Sequence, residues 1–543
     1  MDYLIGVDVG TGSVRGGLVD RSGNILKTHV EDITTWNSKP TFYQQSSDQI
    51  WEACCKVIKN ITEGIPSQNI KGIGFDATCS LAVFDAEGKP LSIGENDDSN
   101  QNIILWMDHR AKSEAEIINK TKHNLLKYVG GSISLEMMIP KILWLKRNNS
   151  KCWHRARHYF LLPDFLTWKC TGSEKRSLCS LVCKGNYEAL PGGDSGWRKD
   201  FFDVINLSEL AEDNWRKIGS DVINPGDLCG TLTEEASKNL GLIAGIPVAA
   251  SLIDAHAGGL GLMGCAAENV SSRFETRLAL ISGTSTCHML QTIDETYVPG
   301  VWGPYYNAMI PGLWLLEGGQ SATGMLIDHT INTHPAANSI RSKLKKNQRP
   351  SEYLNCLLCE MAKEKRLASE DELTRDVHVW PDFHGNRSPL ADPSLRGMIC
   401  GLTLATDEKS LAILYLATMQ ALAYGTKHIL EEIERNSKRR DIESVLICGG
   451  LSRNTLFVQT HANALGLPIL IPKQSDSVLL GAAQLCATVA GFYSSIQEAV
   501  LKMAGPAEPA KPNTGIIEYH EKKYKVFLEM LNFQKNYNKI MHE

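Results

Sequence analysis

Two short runs constrain the architecture more than any other feature of the chain. Residues 9–13 read VGTGS and residues 282–286 read SGTST, about half the 543-residue length apart. Each run lies between two apolar stretches: YLIGVDV (3–9) precedes the first and the chain resumes a strand pattern over 14–20, while Leu278–Ile281 precedes the second and Cys287–Leu290 follows. A Gly- and hydroxyl-rich loop between two strands, occurring twice, predicts two similar units rather than the three or four that length alone allows. After the first hairpin, Ser46–Ile61 places Ile50, Ala53, Cys54, Val57, Ile58 and Ile61 at helical spacing, with Ser46 or Ser47 as N-cap. Ile70–Phe75 then reads as a buried strand ending at Asp76. Hairpin, helix and strand in that order predict an α/β fold.

A third segment has the same character. SVLICGG (444–450) is an apolar strand closing on paired glycines, and LSRNTLFVQTHANALG continues with helical spacing. A strand, a glycine pair and a helix N-terminus make a seat for phosphate or nucleotide. Glycine makes up 45 residues, close to the usual share, so placement carries the information. With Lys plus Arg at 56 and Asp plus Glu at 61, the net charge is −5, which argues against a broad basic face for nucleic acid. No 18-residue stretch is free of polar side chains, so no membrane span is expected, and Leu411–Tyr424 and Val478–Tyr493 read as buried helices. The start MDYLIGVDVG has no basic leader, so a cytoplasmic location with its fifteen cysteines reduced is expected. The lone pair Cys356/Cys359 lacks the partners of a zinc or redox motif and is expected to pack on a helix.

Asp8 ends a strand and opens DVGTGS. A carboxylate there, followed by glycines whose N–H groups can approach phosphate oxygens, suits Mg²⁺ and phosphate together, although a Gly-rich hairpin turn would read the same way. Asp254 closes the strand of IPVAASLIDAHAGGLGLMG and precedes a Gly/Ala-rich helix, which makes it a general base, a helix N-cap, or both. Gly259, Gly261 and Gly264 match GxGxxG, but they fall inside that helix with no acid about 20 residues on, so close helix packing is expected rather than a dinucleotide site. Asp76 and Cys79 in FDATCS, Trp106, Asp108 and Arg110 in WMDHRA, Lys184 in SLVCKG and Glu317 in LLEGGQS put polar groups at the ends of apolar stretches. Individually each is more often a satisfied structural residue, whereas together such acceptors and donors suit a polyol.

Taken together, DVGTGS, ISGTSTCHM and CGGLSRN resemble the two phosphate loops and the adenosine segment of the FGGY carbohydrate kinases. KILWLKRN (141–148) resembles the first family signature, with Met138 where Pro, Ser or Thr is usual, and RGMICGL (396–402) with LATMQ (416–420) resembles the second, with an irregular spacer. GFDATCSL, SLIDAHAGGLG, VPGVWGPY, EGGQS and HGNRSPLADP resemble the ribulokinase branch of that family. The resemblance implies two ribonuclease-H-like domains of the actin, hexokinase and chaperone ATPase type around a deep cleft. Residues 1–265 would carry the sugar site and first phosphate loop, 266–490 the second loop and adenosine site, and 491–543 a helical tail. It implies ATP and Mg²⁺ as cofactors and phosphorylation of D-ribulose to D-ribulose 5-phosphate.

By the same resemblance Asp254 is the catalytic base, and Asp8 and Asp254 stand near Mg²⁺ through water. Thr11, Gly12 and Ser13 with Gly283, Thr284 and Ser285 hold phosphates, and Gly449, Gly450 and Asn454 the adenosine. Cys79, Lys184, Asp254 and Glu317 contact the pentulose, with Asp76 adjacent; Cys79 replaces a small residue of some relatives and suits shaping the pocket. L-Ribulose, D-xylulose and ribitol are alternative acceptors. An actin- or chaperone-like nucleotide switch is the alternative outside the sugar kinases. The partners expected are the pentulose and ATP, with neither nucleic acid nor membrane, and a homodimer is left open.

Overall fold

Strand Tyr3–Val9 (β1) is buried from Leu4 to Val9, as a strand covered on both faces must be. In the computed structural model, which describes residues 1–94, 98–437, 441–474 and 476–542, this strand is the centre of a seven-stranded sheet. It pairs antiparallel with β2 (Ser13–Asp20) and parallel with β4 (Ile70–Ala77). Beyond β2 lies β3 (Ile25–Asp32), antiparallel. On the other side β4 is followed by β5 (Leu228–Thr231), β6 (Pro247–Ala249) and β7 (Leu252–Ile253), with β6 and β7 both parallel to β4. Helix α1 (Ser47–Thr62) packs on β2 and β3, capped by Ser46, whose Oγ accepts the Gln49 N–H at 3.3 Å.

The second half repeats the plan. β8 (Arg277–Ser282) pairs antiparallel with β9 (Thr286–Thr292) and parallel with β12 (Ser444–Cys448). β9 pairs antiparallel with β11 (Trp314–Gln320), which carries β10 (Trp302–Tyr306) at the edge, and β12 pairs parallel with β13 (Ile469–Pro472). Outward from the central strand, β2 and β3 on one side and β4 and β6 on the other correspond to β9 and β11, and β12 and β13. The two glycine-rich loops occupy the same place in the two sheets, each joining the central strand to its antiparallel partner. A smaller five-stranded sheet is inserted in the first half. After residue 490, helices Ile496–Met503 and Ile517–His542 flank strand β14 (Ala507–Ala510), which extends the second sheet beside β13.

One helix ties the halves together. Helix α3 (Ser477–Val489) lies against β1 and β4 of the first sheet and crosses helix α2 (Asp254–Met263). The crossing is bare of side chains: a Cβ on Gly261 would lie 2.0 Å from the Ser477 carbonyl oxygen, and one on Gly481 would lie 1.9 Å from that of Ala257. The sheet side is tight as well: a Cβ on Gly74 would lie 1.9 Å from the Ala482 carbonyl oxygen, and one on Gly6 2.4 Å from that of Leu479. The GxGxxG run therefore serves helix packing, as the sequence predicts. Helix Pro350–Glu364 departs from expectation: Cys359 is half-buried, but Cys356 is exposed and packs on nothing that would hide it, because it lies off the buried line of Leu354, Leu358 and Met361.

Overpacking at such a crossing costs about 1–3 kcal/mol. Gly481→Ala is expected to lower the unfolding free energy by at least that much in urea titrations. Gly196→Ala, whose added Cβ meets nothing within 4 Å, is expected to stay within about 0.5 kcal/mol of the parent.

Candidate active site

Asp8 sits near the end of β1, directly opposite Asp76 on β4, and Asp76 is in turn opposite Leu252 of β7. Parallel register thus collects three carboxyl groups, because Asp254 follows β7 immediately. Asp8 is buried and receives the Arg15 Nε–H at 2.8 Å, while a second Arg15 nitrogen reaches Asp476 at 3.0 Å, just before α3. Asp76 is fully buried, and its carboxylate oxygens receive no hydrogen bond from an N–H or hydroxyl group, its carboxyl facing that of Asp8. Burial, then the Asp8 charge, pushes the Asp76 carboxyl well up from its usual range. Burial also raises Asp8, with Arg15 opposing it.

Asp254 is the first residue of α2. Ile253, not Asp254, occupies the N-cap position, so the capping role expected for Asp254 is not the one it plays; its Oδ1 accepts the N–H of Ala255 at 2.7 Å. Burial and the neighbouring Asp8 charge push it up to about 7, against the Ala255 N–H and the charge of Lys184. A carboxyl near 7 can take up and release a proton at neutral pH. The cluster offers hard oxygen donors, two of them buried on Asp76 with no hydrogen bond from an N–H or hydroxyl group, and such a set fits Mg²⁺.

The loops beside this cluster are open. Gly12, Gly283 and Gly450 have nothing within 4 Å of an added Cβ, which leaves open space beside their backbone. The first loop closes with Gly10 N–H on the Ser13 carbonyl at 3.0 Å, and Thr11 is braced from outside: Gln45 Nε2 donates to its carbonyl at 2.7 Å and Trp106 Nε1 to its hydroxyl at 3.0 Å. In the second loop Gly283 donates to the Ser285 carbonyl at 2.8 Å, and the Thr284 carbonyl accepts from Thr323 at 2.9 Å, where helix Gly324–Thr333 begins. Gly449 has a different role from Gly450. Its φ is +88°, and a Cβ would lie 2.4 Å from the Ser282 carbonyl oxygen, so it lets the third segment abut the second loop. Asn454 is occupied: its Oδ1 caps helix Thr455–Leu465 through the Phe457 N–H at 3.3 Å, and its Nδ2 donates to the Tyr415 hydroxyl at 2.7 Å.

Lys184 and Glu317 meet between the halves, with Nζ 3.8 Å from Oε1. Arg387 bonds the same Glu317 oxygen, and His256 Nε2 lies 3.7 Å from the other. The rings and charges are layered, with Lys184 and Arg387 4.3 and 4.2 Å from the Trp302 ring centroid. Burial opposes the charge on Glu317, but Lys184, Arg387 and His256 outweigh it and hold the carboxyl below its usual value. The same balance holds Lys184 up: burial opposes, and the Glu317 charge prevails. Burial pushes Cys79 up to about 11, with Lys184 opposing, which places this thiol within the field of the cluster. Asp108 and Arg110 are not part of it. They pair with each other at 2.8 Å, both side chains fully buried, and Asp108 also accepts the Tyr43 N–H. Arg387, His256, Trp302 and Arg15 are not singled out by spacing. The available signal is weak: Arg387 is a charge between Gly385 and Pro389, and His256 stands two residues beyond Asp254 on an otherwise Gly/Ala/Leu helix.

Residues 3–261 match the FGGY family of carbohydrate kinases, N-terminal domain, and residues 278–490 its C-terminal domain. The chain is 49% identical to an "FGGY carbohydrate kinase domain-containing protein" of Homo sapiens over 100% of its own length and 98% of that protein's. It is 38% identical to a D-ribulokinase of Saccharomyces cerevisiae, over 91% of this chain and 73% of that one. The crystal structure of gluconate kinase from Lactobacillus acidophilus superposes with a TM-score of 0.79 at 18% identity, covering 98% of each chain, and shows the same two-domain α/β fold. Among the described residues no helix is long and apolar enough to cross a membrane.

A carboxyl whose pKa is raised by folding binds its proton more tightly in the native state, so it costs stability as pH climbs above the unfolded value near 3.8. In metal-free buffer without nucleotide, Asp76→Asn is expected to be more stable than the parent at pH 8 by about 1 kcal/mol or more, because a neutral amide avoids ionising in a buried place beside Asp8. The advantage should shrink as the pH falls toward 4. Parallel thermal melts of the two proteins across that range check it.

Proposed function

The chain belongs to the FGGY family of carbohydrate kinases and is an ATP-dependent sugar kinase, and from that premise we propose that its acceptor is a pentulose, D-ribulose, which it converts to D-ribulose 5-phosphate. The observation that carries the reading is Asp254: a half-buried carboxyl held near 7, beside the loop-bearing strand β1 and within the field of Lys184. The D-ribulokinase relative supports the choice of sugar. The buried Lys184–Glu317–Arg387 group supports a polyol acceptor over a nucleotide switch, since a switch has no use for paired donors and acceptors beside the base.

In this mechanism Lys184, Glu317 and Asp254 bind the pentulose hydroxyls, and Cys79 shapes the wall. Asp254 accepts the proton of the terminal hydroxyl as its oxygen attacks the γ-phosphorus of ATP, the bond to the β,γ-bridging oxygen breaks and ADP leaves. Thr11, Gly12 and Ser13 on one side and Gly283, Thr284 and Ser285 on the other offer N–H and hydroxyl donors to the phosphates. Gly450 leaves room for the adenosine beside the helix that Asn454 caps. Mg²⁺, held through water by Asp8 and Asp254, would neutralise phosphate charge. Residues 1–265 and 266–490 act as the two lobes and 491–543 as a tail.

Asp254→Asn is expected to keep ATP binding and lose at least ~10²-fold in kcat, the share of a general base. Nucleotide titration beside steady-state rates checks this, and a near-normal kcat would remove Asp254 from the role. Steady-state kinetics over D-ribulose, L-ribulose, D-xylulose and ribitol test the acceptor. The highest kcat/KM is expected for D-ribulose, and a higher value for any other member overturns the assignment.

A further inference from the structure

Helix Leu178–Lys184 carries Cys179 and Cys183 four residues apart, hence on one face, and that face is turned toward His256 near the start of α2. All three side chains are buried, and one ligand atom from each lies within 4.8 Å of the others. The Cys183 Sγ is 3.3 Å from His256 Nε2. Beyond the imidazole, Glu317 Oε2 lies 3.7 Å from the same nitrogen and has no hydrogen-bond partner although it is buried. Two thiols, an imidazole and an orphaned carboxylate oxygen thus converge from three separate segments. The mechanism above uses only the last.

We propose that Cys179, Cys183, His256 and Glu317 form a site for a single Zn²⁺, and that its occupancy inhibits the enzyme. Two sulfurs, a nitrogen and an oxygen are a tetrahedral zinc set. With bonds of ~2.3 Å to sulfur and ~2.1 Å to nitrogen or oxygen, tetrahedral angles separate sulfur from nitrogen by about 3.6 Å and oxygen from nitrogen by about 3.4 Å. The separations of 3.3 and 3.7 Å are within a few tenths of these, whereas Glu317 stands outside the 4.8 Å cluster that the other three form, so its carboxylate must move inward to complete the set. The site is not a structural one. His256 Nδ1 has no partner, whereas a ligating imidazole in a tight site donates its other N–H to an acceptor, and the lack of one weakens binding by ~10–100-fold.

The consequence lies in Glu317. A carboxylate shared with Zn²⁺ is withdrawn from Lys184 and Arg387, whose charges it otherwise balances. This consequence rests on the proposed place of Glu317 in the pentulose pocket; the metal site itself does not.

Co²⁺, which reports thiolate ligands and tetrahedral geometry by its absorption, is the probe. Added to chelator-treated full-length protein, it is expected to bind one ion per chain by native mass spectrometry and to give thiolate charge-transfer and tetrahedral visible bands. The bands should vanish in Cys179→Ser/Cys183→Ser and persist in Cys356→Ser/Cys359→Ser. Cys179→Ser alone, which keeps the Cys183–His256 contact, should retain parental kcat while Zn²⁺ inhibition weakens at least ~10-fold. In the parent, Zn²⁺ should raise the KM for D-ribulose and leave that for ATP unchanged. No tetrahedral bands, or bands that survive in Cys179→Ser/Cys183→Ser, overturn the site. Bands that depend on Cys179 without competition against D-ribulose uphold the site and overturn the pentulose placement of Glu317.

Discussion

The close seating of helix Ser477–Val489 is the contact on which the rest of the molecule depends. The helix belongs to the second half of the chain but lies on the first sheet, with Gly6 and Gly74 beneath it and Gly261 and its own Gly481 at the crossing with Asp254–Met263. Backbone meets backbone there because no Cβ intervenes. Close approach fixes two things that chemistry needs. It sets Asp476, at the head of the helix, against Arg15, and it holds the helix that begins with Asp254. Distributed glycines thus do for this fold what a bulky core cluster cannot, since side chains would separate the elements that carry the site.

Around that contact the charges fall into two groups with opposite balances. Glu317 is over-supplied with cations, and its neighbours keep it ionised despite burial. Asp8, Asp76 and Asp254 are under-supplied: Arg15 is the cation hydrogen-bonded to Asp8, and Asp76, with no hydrogen bond from an N–H or hydroxyl group, and the raised Asp254 sit beside it. A buried carboxylate group short of positive charge is unstable by itself and is the natural counterpart of a bound cation or of a proton to be accepted. On the proposed reading, the satisfied group lies where a neutral polyol binds and the unsatisfied one where a proton moves.

Much of this was legible in the residues. The hairpin, α1 and its Ser46 cap, the strand to Asp76, both loops and the strand before Gly449 lie where periodicity and turn chemistry place them, because each is set by contacts within a few residues. Asp254 was visible as an acid at the end of an apolar strand, but not as the first residue of a helix rather than its cap. The division of labour between Gly449 and Gly450 was hidden, since one is packed and the other open. Cys356 is exposed rather than packed, because a CxxC spacing does not say which side of the helix faces the core. Arg387 is the pocket residue least visible in the sequence. It enters the pocket from a loop seventy residues beyond Glu317, and no local pattern announces such an approach.

The amino-acid sequence by itself determined two related α/β units, the three glycine-rich turns and the acids that end their strands, because strand, turn and cap preferences act over short distances. Only the tertiary structure decided which acids share a field, which glycines are packed and which open, and that Lys184, Glu317, Arg387 and His256 meet. Those outcomes follow from strand register and from one helix crossing, and both are set by packing between segments far apart in the chain.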